Sequence, residues 1–77
     1  MSGTGRLRWR CRRGMKELDV LLERWLDRHG PAATPAEVQG FETLLDLQDP
    51  QLARHLLAGD PFPDPAIQSL IERIRQG

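Results

Sequence analysis

Three residue pairs do most to limit what this chain can fold into: Thr34-Pro35, Asp49-Pro50 and Asp64-Pro65. In each, a residue able to cap a helix precedes a proline. Proline is tolerated best at the first helical position, where its missing N–H has no partner to lose. Each pair therefore opens a helix and closes off the segment before it. Glu37 stands three residues after Thr34 and completes a capping box. Glycines supply the complementary stops. Gly30, followed by Pro31, is expected as a left-handed residue past a helix end, and Gly59 ends the segment opened by Asp49-Pro50.

Between these stops, apolar residues recur at spacings of three and four. Met15, Leu18, Leu21, Leu22, Trp25 and Leu26 predict a helix over 15–28. Val38, Phe41, Leu44, Leu45 and Leu47 form the buried stripe of the next. Leu52, Ala53, Leu56 and Leu57 form that of a third, shorter one. Ile67, Leu70, Ile71 and Ile74 line the last, with Arg73 and Arg75 near its negative end. Phe62, in the stiff turn Asp60-Pro61-Phe62-Pro63, is available to plug the edge of the core. Residues 6–13 alternate apolar groups with arginines, a strand pattern, but nothing else in the chain could pair with such a strand. A short helix is the expectation there. Residues 1–5 carry no anchoring apolar group and are expected to be a disordered N-terminus, leaving 6–77 as one helical domain. The expected fold class is all-α: a small single-domain bundle of five short helices.

A chain of 77 residues buries only ~60% of its unfolded surface, so the core is thin. A face that binds a larger partner fits such a body more easily than a deep catalytic pocket does. The single cysteine, Cys11, excludes an internal disulfide and points to a reducing compartment. No apolar run approaches the ~20 residues of a membrane span. The expectation is a monomer in the cytoplasm, with no membrane partner. The zero net charge conceals a polarised chain. Residues 1–16 hold six basic side chains and no acid, while 17–77 hold the other five bases and all eleven acids. A mitochondrial transit peptide would also be Arg-rich and acid-free, but here no Ser-rich spacer follows.

The inventory for catalysis is poor. His29 and His55 lie in no two-ligand spacing, and one cysteine cannot complete a zinc set. Arginines around Cys11 favour a thiolate, yet no base or oxyanion site stands near it. No catalytic, metal-binding or cofactor-binding residue is therefore assigned, and no enzyme is expected. The arginine-rich start has three explanations: a solvated arm, pairing with the chain's own acids, or phosphate binding with Trp9 stacking on a base. The last would make the protein a small nucleic-acid-linked or antitoxin-like regulator acting through Arg6, Arg8 and Arg10. Against it, the acidic remainder would repel a polyanion.

The stretch from Trp9 to Asp19 reads instead as a docking face. Arg13 and Glu17 are four apart and would share one helix face, in the weaker of the two charge orders. With Gly14 between them they would flank a patch of bare backbone. A guanidinium fork can grip carboxylates or carbonyls of a partner, and Glu17 can accept from a partner's arginine or amide.

At these residues the sequence resembles the succinate dehydrogenase flavin-assembly factors, the FAD assembly factor SdhE family of bacteria and its mitochondrial relatives. Arg13-Gly14-Met15-Lys16-Glu17 matches the family's Arg-Gly-x-x-Glu signature, with Trp9, Cys11, Arg12, Leu18 and Asp19 extending the match. Asp49-Pro50-Gln51-Leu52, followed by Leu56-Leu57, matches its Asp-Pro-x-Leu helix start. The resemblance spans roughly residues 6–76. It implies a compact five-helix protein that is not an enzyme. Such a protein binds the apo flavoprotein subunit of succinate dehydrogenase, and in some bacteria that of fumarate reductase, and promotes covalent attachment of FAD to a histidine there. FAD would end on the partner, with no cofactor held stably by this chain and no nucleic-acid partner. The partner-binding residues implied are Trp9, Arg12, Arg13, Gly14, Glu17 and Asp19, with Gly14 the position where a side chain would keep the two surfaces apart. One departure is Arg54-His55, where the family often has an aromatic residue.

Overall fold

The computed structural model describes residues 3–76, with side chains from Arg6 onward. Five α-helices follow one another: α1 (Gly3–Arg10), α2 (Lys16–His29), α3 (Pro35–Leu45), α4 (Asp49–Leu56) and α5 (Pro65–Gln76). A short 3-10 turn, Gly30–Ala32, links α2 to α3. There is no strand among the described residues. No helix is long and apolar enough to cross a membrane. The all-α bundle of five short helices is the architecture expected from the sequence. α1 begins at Gly3, inside the stretch expected to be disordered; Met1 and Ser2 lie outside the described residues.

The last helix is the hub. α5 packs on α2, α3 and α4, and its Leu70, Ile71 and Ile74 are buried in one stripe. At the centre Trp25 of α2 stacks on Phe41 of α3, ring centroids 4.7 Å apart. Both rings are buried, and an aromatic pair of this kind adds about 0.5–1.5 kcal/mol beyond the area it removes from water. α1 resolves the ambiguity of its alternating sequence. Leu7 and Cys11, four apart, are buried in the core, and Trp9 between them faces solvent at 74% exposure. Arg8 pairs with Asp27, and Arg10 pairs with Asp46 at 2.6 Å. The two charge pools separated along the sequence are thus brought together by folding.

The helix starts follow the local code, with one correction. Glu37 donates its backbone N–H to Thr34 Oγ1 at 3.1 Å, and the Thr34 N–H donates to the Glu37 carboxylate at 2.9 Å, completing the capping box. Asp64 Oδ1 accepts from the Ala66 N–H at 2.9 Å. Asp49, expected as a cap, is instead the first residue of α4; Gln48 holds the cap position without a side-chain bond. The Asp49 carboxylate is taken by Arg13, and a charged donor outcompetes a neutral backbone amide.

Two further expectations are corrected. Gly30 is right-handed, at φ −53°, and carries the chain into the 3-10 turn. Proline normally clashes with a helical residue before it partly through that residue's Cβ, which glycine lacks. Leu57 was expected inside but is 41% exposed. It follows Leu56 by one residue, about 100° further round the helix, and so leaves the stripe set by Leu52 and Leu56.

Candidate partner-docking site

The corner between α1 and α2 is built from both sides. α1 closes with the Cys11 N–H donating to the Leu7 and Arg8 carbonyls, each at 3.1 Å. Cys11 then turns into the core and is fully buried. Burial, with the Glu23 carboxylate adding to it, pushes the thiol up to about 12. The neighbouring arginines do not offset this, so the thiolate suggested by their sequence proximity does not form, and Cys11 serves as apolar filling beneath the corner.

After Cys11 the backbone turns outward. Arg13 donates its backbone N–H to Asp19 Oδ1 at 3.0 Å, and Gly14 donates its own to Asp19 Oδ2 at 3.3 Å. One carboxylate in the first turn of α2 therefore holds two successive amides of the corner. Gly14 sits at φ +89°, a conformation that side-chain-bearing residues rarely adopt. Among the described residues, a Cβ built there would meet no atom within 4 Å. The glycine is required by the backbone, and the space beside it is open.

Arg13 points the other way. Its Nε–H donates to Asp49 Oδ1 at 2.5 Å and its Nη1–H to the Leu45 carbonyl at 2.8 Å, while Nη2–H donates to the Leu47 carbonyl. Leu45 is the last residue of α3, so the guanidinium serves carbonyls that a helix end leaves without intrahelical partners. Arg13 and Glu17 do not share a helix face, as their spacing suggested. The positive φ at Gly14 breaks the chain, leaving Arg13 in the corner and Glu17 in the first turn of α2. Of the six residues named from the sequence, Trp9, Arg12, Gly14 and Glu17 are exposed. Arg13 and Asp19 are half-buried and turned to the corner itself.

Beside Glu17 runs a shallow groove lined by Lys16, Glu17, Val20, Leu21 and Leu57. Val20 is 50% exposed, and with Trp9 and Leu57 it makes up the large exposed apolar side chains among the described residues. Sequence reasoning missed this groove. The available signal was Val20, an apolar residue off the buried stripe of α2. The histidines stand apart from the corner. His55 Nδ1 lies 2.9 Å from the Asp60 carbonyl, with its ring edge-on to Phe62, and His29 lies 6.0 Å from the Trp25 ring centroid.

The sequence profile of the family described as "Flavinator of succinate dehydrogenase" matches residues 5–77. The chain belongs to this flavinator family. Among curated relatives, the FAD assembly factor SdhE of Methylococcus capsulatus is 45% identical over 75 residues, covering 97% of this chain and 90% of the relative. That of Haemophilus ducreyi is 40% identical over 70 residues, 91% of this chain and 85% of the relative. That of Coxiella burnetii is 39% identical over 71 residues, 92% of this chain and 87% of the relative. No solved structure gives a significant match. The flavinator match takes in the corner, the groove, α2 to α5 and all of α1 but its first two residues.

Proposed function

We propose that this chain is a FAD assembly factor: it binds the apo flavoprotein subunit of succinate dehydrogenase and promotes covalent attachment of FAD to a histidine of that subunit. The match to the flavinator family over residues 5–77 carries this reading. The open backbone at Gly14, flanked by exposed Glu17 and the apolar groove beside it, is where the partner seats.

The mechanism is differential binding rather than catalysis. The factor binds the attachment-ready form of the flavoprotein more tightly than its other forms and so raises its population; a preference of about 1.4 kcal/mol shifts that balance tenfold. The attachment chemistry belongs to the flavoprotein, and FAD ends there rather than on this chain. The factor works as a monomer in the bacterial cytoplasm, and the flavoprotein subunit of fumarate reductase is a second partner of the same kind. Nucleic acid is not a partner in this reading. Arg8 and Arg10, two of the arginines such binding would use, face Asp27 and Asp46 of the same chain.

The test is reconstitution of apo flavoprotein with FAD and the factor, reading covalent flavin by in-gel fluorescence. Gly14→Arg and Glu17→Arg are expected to stay helical by circular dichroism and to leave covalent flavin near the level without factor. Full flavinylation with both variants would sink the docking face.

A further inference from the structure

We propose that Asp49 is a positioning residue for the docking face, acting through Arg13 on the Gly14 corner. The inference rests on the docking reading and adds to it a residue 35 positions away in sequence. Asp49 opens α4 and makes no cap. Its carboxylate oxygen lies 2.5 Å from Arg13 Nε, and the same guanidinium donates to the carbonyls of Leu45 and Leu47. Arg13 is bonded to Gly14, whose φ of +89° turns the chain outward. The two sequence signatures, Arg-Gly-x-x-Glu and Asp-Pro-x-Leu, are thus two ends of one clamp. Its arginine end carries the exposed backbone, and its aspartate end fixes the guanidinium against the α3–α4 link.

The chemistry favours this division of labour. A planar guanidinium holding one carboxylate and two carbonyls has a fixed orientation, because three of its five N–H groups are committed. The Arg13 side chain is only 14% exposed, so little water is there to replace a lost partner. Without Asp49 the Nε–H is left half-buried and unpaired, and the corner has a reason to leave its present position. Asp19 holds the same corner from the other side, through the Arg13 and Gly14 amides. It fixes the backbone relative to α2, whereas Asp49 fixes it relative to α4. Both are needed if a partner is to meet Gly14, on the corner, and Leu57, just past α4, as one surface.

A positioning role has a kinetic signature. If the corner is docking-competent for only a fraction of the time, apparent affinity falls by that fraction, while the bound complex is unchanged. Flavinylation of apo flavoprotein is therefore measured against factor concentration for five full-length proteins: wild type, Asp49→Ala, Asp49→Asn, Arg13→Ala and Arg13→Ala/Asp49→Ala. Asp49→Ala is expected to raise the half-saturating concentration about tenfold with the maximum rate kept, the size of effect that follows from losing one charged hydrogen bond. Asp49→Asn retains an acceptor for Nε–H and is expected to recover most of the loss. The double variant should be no worse than Arg13→Ala alone, since the two side chains act as a unit. Amide resonances of Arg13 and Gly14 in Asp49→Ala are expected to shift, with those of α5 in place. Should the alanine variant not fold, Arg13→Lys carries the same expectation, keeping the charge without the fork.

An unchanged half-saturating concentration, or a lowered maximum at unchanged half-saturation, would overturn the positioning role. So would additive losses in the double variant, which would place Asp49 in direct contact with the partner. None of these touches the docking reading, which fails only if Gly14→Arg and Glu17→Arg flavinylate normally.

Discussion

Gly14 and Gly59 share a positive φ, at +89° and +81°, yet they stand in opposite surroundings. A Cβ on Gly59 would lie 2.9 Å from the Arg75 guanidinium, whereas one on Gly14 would meet nothing within 4 Å among the described residues. Each glycine is demanded by its own turn, so a positive φ by itself says nothing of function. The difference lies in what covers the turn. α5 covers the turn after α4 with its own arginine, whereas no described residue covers the space beside Gly14. One is finished architecture; the other is a surface left for another molecule.

The largest effect that could break this contrast comes from placing one side chain at both turns. Gly14→Arg and Gly59→Arg each take on about 1–2 kcal/mol of backbone strain. Gly14→Arg is expected to lose nearly all flavinylation per folded molecule. Gly59→Arg must also displace Arg75, so it should melt lower but keep most flavinylation per folded molecule, as read by thermal denaturation and covalent flavin yield. Equal functional loss at both turns would erase the distinction. Next in size is the groove. Val20→Asp and Leu57→Asp are each expected to weaken binding to the apo flavoprotein about tenfold in titration calorimetry, since burying such a side chain is worth ~1.5–3 kcal/mol. Stability should move by only about 0.5 kcal/mol, because both positions are exposed in the free protein.

Two smaller effects probe the closed side of the molecule. Thr34→Ala removes one arm of the capping box and should cost ~1 kcal/mol, a fall in melting temperature of about 4–8 °C, with flavinylation intact at room temperature. The smallest concerns acid. The Thr34 backbone N–H, followed by Arg73, holds the Glu37 carboxyl below its ordinary value of 4.5. A lowered folded pKa contributes stability that is present above the unfolded value and lost as pH falls through the folded one. Glu37→Gln should therefore flatten the decline in stability below pH 4.5 relative to wild type, measured by urea titration at several pH values.

Much of the fold was legible because its signals are local. Thr34-Pro35-Ala36-Glu37 states a helix start within four residues, and the apolar stripes of α2 and α5 need only their own periodicity. What failed was local too, wherever a neighbour in space overruled a neighbour in sequence. Asp49 reads as a cap until Arg13 arrives from 36 positions away. Arg13 and Glu17 read as a helical pair until Gly14 turns the chain between them. The arginine-rich start was open to three explanations because nothing in the sequence says that Asp27 and Asp46 fold back onto Arg8 and Arg10. At the site, the motif located the corner, but which of its side chains face outward depends on tertiary partners that spacing does not encode.

The placement of the two tryptophans has a practical consequence. The chain has no tyrosine, so excitation at the indole band reports on Trp9 and Trp25 alone. Trp25 is sealed against Phe41 and should emit blue-shifted light, while Trp9, three-quarters uncovered, should emit red-shifted light that external quenchers extinguish. Unfolding and partner association thus register as separate optical channels in the unlabelled protein, one from the interior and one from the helix leading into the corner.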